Sequence, residues 1–188
     1  MSHGRRSEPP ARAVILALLI ALLMVVPDPS GSSGAHAAPG ARPAEFSLSA
    51  VRGAAWKGRF RLREHLGKRP IVIAFFATWC RPCEVELPIL EKLRAQFPPE
   101  ALAMVAVSVD GPESTARIAP LVRRLGLTFP VVHDADSSVS AKLNPQRTVP
   151  FLITVDARGR IVGERAGFSA EHQRSLPAQI AALVKQKR

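Results

Sequence analysis

The sequence predicts an α/β domain with a mixed, mainly parallel central sheet and helices on both faces. Three observations carry this reading. Short apolar strand patterns alternate with amphipathic helical patterns over most of the chain. Two of the strand patterns, Ile71 to Phe76 and Leu102 to Val109, are nearly continuous apolar runs, as expected of strands covered on both faces. Helical patterns follow both runs, and no repeat interrupts the order.

The elements read in sequence as follows. Phe46-Ser47-Leu48 and Arg59-Phe60-Arg61-Leu62 alternate apolar and polar residues and predict two short N-terminal edge strands. Gly67-Lys68-Arg69-Pro70 is a turn before the strand Ile71–Phe76. A helix is predicted from about Arg81 to Gln96 and stopped by Pro98-Pro99. After the strand 102–109 comes a helix from Pro112 to Leu125 ending at Gly126, then a strand from Phe129 to His133. Ser137 to Leu143 reads as a short helix and Phe151 to Val155 as a fourth buried strand. Asp156-Ala157-Arg158-Gly159 turns that strand into an antiparallel partner at Ile161-Val162. Beyond Gly167, Leu176, Ile180, Leu183 and Val184 mark one face of a C-terminal helix.

The N-terminus reads as a targeting segment. Arg5, Arg6 and Arg12 precede Ala13 to Val26, a run without a polar residue. As a helix it would span about 21 Å at ~1.5 Å per residue, short of the ~30 Å core of a bilayer. It is a signal-peptide core or a short membrane anchor, and both readings stay open. Ala35-His36-Ala37 supplies a small-x-small cleavage pattern. The expected organisation is therefore a signal or anchor over 1–37, a flexible linker over 38–45 and one folded domain over 46–188. The Pro, Gly, Ser and Ala content of residues 27–45 motivates the linker. Export places the protein in the periplasm or on the outer face of the cell membrane.

Of the formal charge of +11, the first 37 residues account for only one unit, three arginines against Glu8 and Asp28. The basic excess belongs to the folded domain. Export argues against nucleic acid as its partner, and no basic stripe with interleaved aromatics is present. A solvated arginine-rich face is the expected reading.

Cys80-Arg81-Pro82-Cys83 holds the only two cysteines of the chain and lies between the apolar run 71–76 and a helix start. Thiols at this spacing can close into a small ring and reopen. The helix N-terminus there stabilises a thiolate through free N–H groups and its dipole. A structural zinc site needs four ligands, and no second Cys pair exists to supply them. Thiol–disulfide exchange is the expected chemistry, with Cys80–Cys83 as a redox-active disulfide and no other cofactor. Cys80 is expected at the helix N-cap, exposed and nucleophilic, with Cys83 one turn inside as the resolving thiol. Pro82 suits a first helical turn, where a missing N–H is harmless, and Arg81 puts a positive charge beside the thiolate. Glu86 follows Cys83 by three residues and precedes Leu90 by four, so it falls on the apolar stripe with Leu90, Leu93 and Phe97. A carboxyl there is desolvated and can carry the Cys83 proton. Glu84 reads as a surface charge near a helix start, and Pro88 as a kink in the helix.

The run Phe75 to Cys83, with Glu86-Leu87-Pro88 after it and Val149-Pro150 before the fourth strand, resembles the exported TlpA/ResA-like thiol–disulfide oxidoreductases of the thioredoxin fold. The resemblance covers about Phe46 to the C-terminus. It makes the helix and strand over Pro112 to His133 the central insertion of that family. It implies that Val149-Pro150 is a cis-proline loop facing the cysteines, where an extended client adds as a strand. Trp79 becomes a flanking lid over the thiols, with core packing as its alternative. Thioredoxin itself carries a buried Asp where this chain has Ala74, and the ResA-like proteins carry a Glu at the position of Glu86. Phe151 departs from the usual Thr of the family. The implied activity is reduction of protein disulfides, with apocytochrome c cysteines or copper-centre assembly factors as clients and a membrane donor of electrons.

Two other functions compete. One is a disulfide oxidase or isomerase of the same fold; the helical domain insertion and Pro-His dipeptide of a DsbA-type oxidase are absent here, and Arg81-Pro82 resembles the Gly-Pro of reductases more closely. A copper metallochaperone would use His133 with both cysteines, although Sco-like chaperones have a longer CxxxC. Without a metal, His133 reads as a solvent-facing histidine; His3, His36, His65 and His172 carry no assigned role.

Overall fold

The computed structural model describes residues 40–186. The N-terminal apolar run, the arginines before it and the cleavage pattern lie outside the described residues. Among those described, no helix is long and apolar enough to cross a membrane.

A five-stranded sheet is ordered β5-β4-β3-β6-β7. Its strands are β3 (Ile71–Phe76), β4 (Ala103–Ser108), β5 (Val131–His133), β6 (Phe151–Val155) and β7 (Ile161–Ala166). β3 pairs parallel with β4 and β4 parallel with β5, while β6 runs antiparallel to both β3 and β7. Among the described residues four α-helices accompany it: α1 (Cys83–Ala95), α2 (Ile118–Arg124), α3 (Ser140–Leu143) and α4 (Ala170–Lys185).

Strand alternation divides the core in two. Val72, Ala74 and Phe76 face the stripes Leu87, Leu90, Leu93 of α1 and Leu176, Ile180 of α4, together with Ile118, Leu121 and Val122 of α2. Ile71, Ile73 and Phe75 point the other way, toward Phe151, Ile153, Phe60, Val139 and Leu143. Each fully buried Phe, Leu or Ile contributes ~1.5–3 kcal/mol over its exposed state, so the six uninterrupted buried residues of β3 anchor both layers. The cysteine pair belongs to the first of these clusters.

Two expectations need correction. The N-terminal strands β1 (Ser47–Ser49) and β2 (Arg59–Arg61) do not extend the central sheet; they pair with each other as a separate two-stranded sheet. The chain just after β1 ties that ribbon to the β5 edge through an isolated bridge, Ala50 to Val132, and a hydrogen bond from Val51 N–H to the Val131 carbonyl at 2.9 Å. Residues 40–45, expected as flexible linker, are bound to the domain: Gly40 N–H donates to the Ile161 carbonyl at 2.9 Å, and Ile161 N–H to the Ala41 carbonyl at 2.8 Å. Backbone hydrogen bonds to the start of β7 satisfy polar groups whatever the side chains are, so Pro, Gly and Ala content does not report on this attachment. The β6–β7 turn forms as expected around Gly159, whose φ of 81° is left-handed. Asp156 braces this turn by accepting from the Arg158 and Arg160 N–H groups.

Candidate active site

β3 ends at Phe76, and the chain then turns through Ala77-Thr78-Trp79 into Cys80. Cys80 and Cys83 form a disulfide with an S–S distance of 2.05 Å. The helix begins at Cys83 with Pro82 at its N-cap, so Cys80 lies in the turn before the helix and not at the cap. That turn is closed by Cys83 N–H donating to the Cys80 carbonyl at 3.1 Å. The same N–H lies 3.2 Å from Cys80 Sγ. A backbone donor therefore still points at this sulfur from the first residue of the helix.

Cys80 is also not exposed. It retains 4 % of its accessible surface, against 0 % for Cys83. The bond to the fully enclosed Cys83 draws the Cys80 sulfur inward, onto the cluster that holds Ala77 and Leu87. Its neighbour Trp79 is 60 % exposed, which rejects the core-packing alternative for the indole. Arg81 and Pro82 are exposed beside the disulfide.

Glu86 is buried at 2 % exposure on the stripe with Leu87, Leu90 and Leu93. Burial pushes its carboxyl up to about 7, partly opposed by the positive charge of Arg165. Glu84, by contrast, is bound at 2.8 Å to Arg124 of α2, a surface ion pair. Pro88 lies inside α1. Ala74 is buried in the same cluster as both cysteines and offers no ionisable group.

The Val149-Pro150 peptide is cis. Pro150 is buried at the start of β6, and half-buried Val149 packs against the cluster containing Cys80 and Cys83. Phe151 is buried and its ring lies 6.1 Å from that of Phe75, in register across β3 and β6.

Two groups were missed by sequence reasoning. The first is Asp110, just past the end of β4 and 2 % exposed. Its carboxylate accepts from Thr78 N–H at 3.0 and 3.1 Å, from Thr78 Oγ1 at 2.6 Å and from Ser108 Oγ at 2.7 Å. These bonds fasten the loop that carries Trp79 and Cys80 to the end of the neighbouring strand. The Ser108-x-Asp110 pair at the carboxyl end of a buried strand was the available signal. His133 Nε2 lies 2.9 Å from the Asp110 carbonyl, so this nitrogen of the copper-site alternative already has a backbone partner. Among the described residues no group of three or more His, Cys, Asp or Glu is placed to hold a metal ion.

The second is His172, the first buried residue of α4. Stepping back four residues from Leu176 on the apolar stripe of α4 reaches it, as the same step from Leu90 reaches Glu86. It is 1 % exposed, and its Nε2 lies 3.8 Å from Glu86 Oε1.

An Asp110→Ala substitution is expected to leave the Thr78 and Ser108 donors without their acceptor. The loss should be about 1–3 kcal/mol of stability, with slower thiol exchange because the Cys80 loop is no longer held. Urea unfolding and an insulin-reduction assay measure both, and an unchanged midpoint would remove the anchoring role.

The AhpC/TSA family model matches residues 39–164. The thiol-disulfide oxidoreductase ResA of Oceanobacillus iheyensis is 30% identical over 145 residues, 75% of this chain and 73% of that protein. The ResA of Geobacillus thermodenitrificans is 31% identical over 153 residues, 80% of this chain and 82% of that protein. The crystal structure of a putative thiol:disulfide interchange protein DsbE from Chlorobium tepidum superposes with a TM-score of 0.67 at 22% identity, covering 78% of this chain and 97% of that one. That last likeness supports the thioredoxin-like fold. With a disulfide formed by its two neighbouring cysteines and these relatives, the chain belongs to the AhpC/TSA family and is a thiol–disulfide oxidoreductase of the ResA type.

Proposed function

We propose that this oxidoreductase acts outside the cytoplasm and gives electrons away, reducing disulfides in client proteins through Cys80 and Cys83. The observation that carries the direction is the burial of both sulfurs beside a buried carboxyl. A strong oxidant is one whose reduced form is strongly stabilised, chiefly as a thiolate. Burial disfavours a thiolate, and the Cys83 N–H is a single modest donor to Cys80 Sγ. Arg81, exposed to solvent, contributes a screened charge.

In the reaction, the Cys80 thiolate attacks a client disulfide, forms a mixed disulfide and releases one client thiolate. Glu86 as carboxylate takes the proton of Cys83. The Cys83 thiolate then attacks Cys80 Sγ, closes the Cys80–Cys83 disulfide and expels the second client sulfur. The client gains two electrons and the protein loses them, so a membrane donor must return two electrons per cycle. Val149, Pro150 and Trp79 are proposed to hold the client's extended backbone over the disulfide. By family resemblance the clients are apocytochrome c cysteines or copper-centre assembly factors. The apolar run 13–26 supports export, as a cleaved signal or a retained anchor.

The midpoint potential tests the direction. A value below about −200 mV is expected, nearer thioredoxin at about −270 mV than DsbA at about −120 mV. Equilibration with glutathione buffers at pH 7 measures it. A value near the DsbA figure would reverse the electron flow and make this chain an oxidase.

A further inference from the structure

Glu86 and His172 meet between α1 and α4, with the Gly167 backbone acting on the imidazole from the turn before α4. Glu86 Oε1 and both ring nitrogens of His172 are buried without a hydrogen-bond partner. Each residue ends an apolar stripe, Glu86 above Leu90 and Leu93, His172 above Leu176 and Ile180. The Phe168 ring, 5.3 Å from the imidazole, packs alongside it. Isolated buried polar groups of this kind are costly, and a carboxyl facing an imidazole has one inexpensive arrangement: a proton between them.

We propose that His172 is a positioning residue for Glu86: the carboxyl and the imidazole hold one proton in common behind Cys83, and the state of this pair decides when Glu86 can accept the Cys83 proton. The proposal rests on Glu86 as the proton carrier of the exchange reaction. The gap of 3.8 Å is longer than a hydrogen bond and closes when the proton is present. Burial raises the Glu86 carboxyl and lowers the His172 imidazole, so both are pushed toward their neutral forms. Neutral His172 then accepts the carboxyl O–H, which keeps a newly loaded proton on Glu86 instead of leaving an unpaired acid in the core. Arg165 on β7 is the cation acting on both, favouring the carboxylate and disfavouring the imidazolium. Of the other charges on these helices, Glu84 is occupied by Arg124, and Glu171 and Arg174 are exposed.

Shared protons have a signature that packing lacks: one macroscopic step appears at both sites. In the oxidised full-length protein labelled with 15N-histidine and 13C-carboxyl glutamate, the His172 and Glu86 signals are expected to report a common midpoint. His172→Gln assigns the imidazole among the five histidines of the chain. Glu86→Gln should remove that step from the His172 signals, and His172→Gln should displace the Glu86 step by about one unit or more. If His172→Gln fails to fold, the Glu86→Gln arm still reads His172 directly. Imidazole signals indifferent to Glu86→Gln would overturn the proposal. The reading beneath it is tested separately by the pH profile of insulin reduction. A profile unmoved by Glu86→Gln removes Glu86 as proton carrier. A profile that moves while the imidazole does not removes only His172.

Discussion

Cys80→Ser is expected to abolish disulfide reduction outright, whereas Cys83→Ser is expected to stall it halfway. The difference follows from access and from the helix. Cys83 has no accessible surface, while Cys80 keeps a little and receives the Cys83 N–H at 3.2 Å. On the proposed division of roles Cys80 meets the client sulfur first, and its thiolate is the one the start of α1 would stabilise. Without Cys80 no mixed disulfide forms, and insulin reduction should fall to the uncatalysed rate. Without Cys83 the mixed disulfide on Cys80 has no neighbouring thiol to resolve it and should accumulate as a covalent adduct. Non-reducing electrophoresis with a peptide disulfide distinguishes the two. Adducts on Cys83 in the Cys80→Ser protein would exchange the roles of the two sulfurs.

Glu86→Gln is expected to stabilise the oxidised protein at alkaline pH by about 3 kcal/mol while leaving it nearly unchanged at pH 4. The carboxyl sits at about 7 in the fold against 4.5 ordinarily. Below the ordinary value both folded and unfolded chains hold the proton. As pH rises from there to about 7, the unfolded chain releases it and the folded chain keeps it. The fold therefore binds more protons, and stability falls across this window. At ~1.4 kcal/mol per unit the full loss is about 3 kcal/mol, and it is complete above the folded value. Glutamine resembles the protonated acid and cannot ionise, so the variant should escape the decline. Urea midpoints at pH 4 and pH 8.5 measure it. Equal pH dependence in the two proteins would return Glu86 to a solvated role. A buried carboxyl is thus costly to the fold near neutral pH.

The legible part of this protein was what local spacing can encode. The uninterrupted run 71–76, the Cys-x-x-Cys after it and Glu86 four residues before Leu90 each specify geometry within one element or its immediate flank. The element order followed from the alternation of periods. Less legible was anything requiring a partner distant in sequence. The exposure of Cys80 was misjudged because it depends on where the enclosed Cys83 draws it. Residues 40–45 looked like a tether because their partner, Ile161, lies across the domain. Asp110 and His172 have local positions that hint at burial, but nothing local names their partners. The first is held to Thr78, 32 residues away, and the second meets Glu86, which is distant in sequence but 3.8 Å away in space.

By itself, then, the sequence determined the α/β order, the redox pair and a carboxyl on the buried stripe of its helix, because hydrophobic periodicity and residue spacing act through a turn or two of chain. Only the tertiary structure decided which buried groups meet. α1 and α4 pack on the same face of the sheet and bring Glu86 to 3.8 Å from His172, and adjacent strands bring Asp110 under the Cys80 loop. Desolvation is the physical reason these encounters matter: away from water, a polar group's behaviour is set by its nearest neighbours in space, which chain order does not specify.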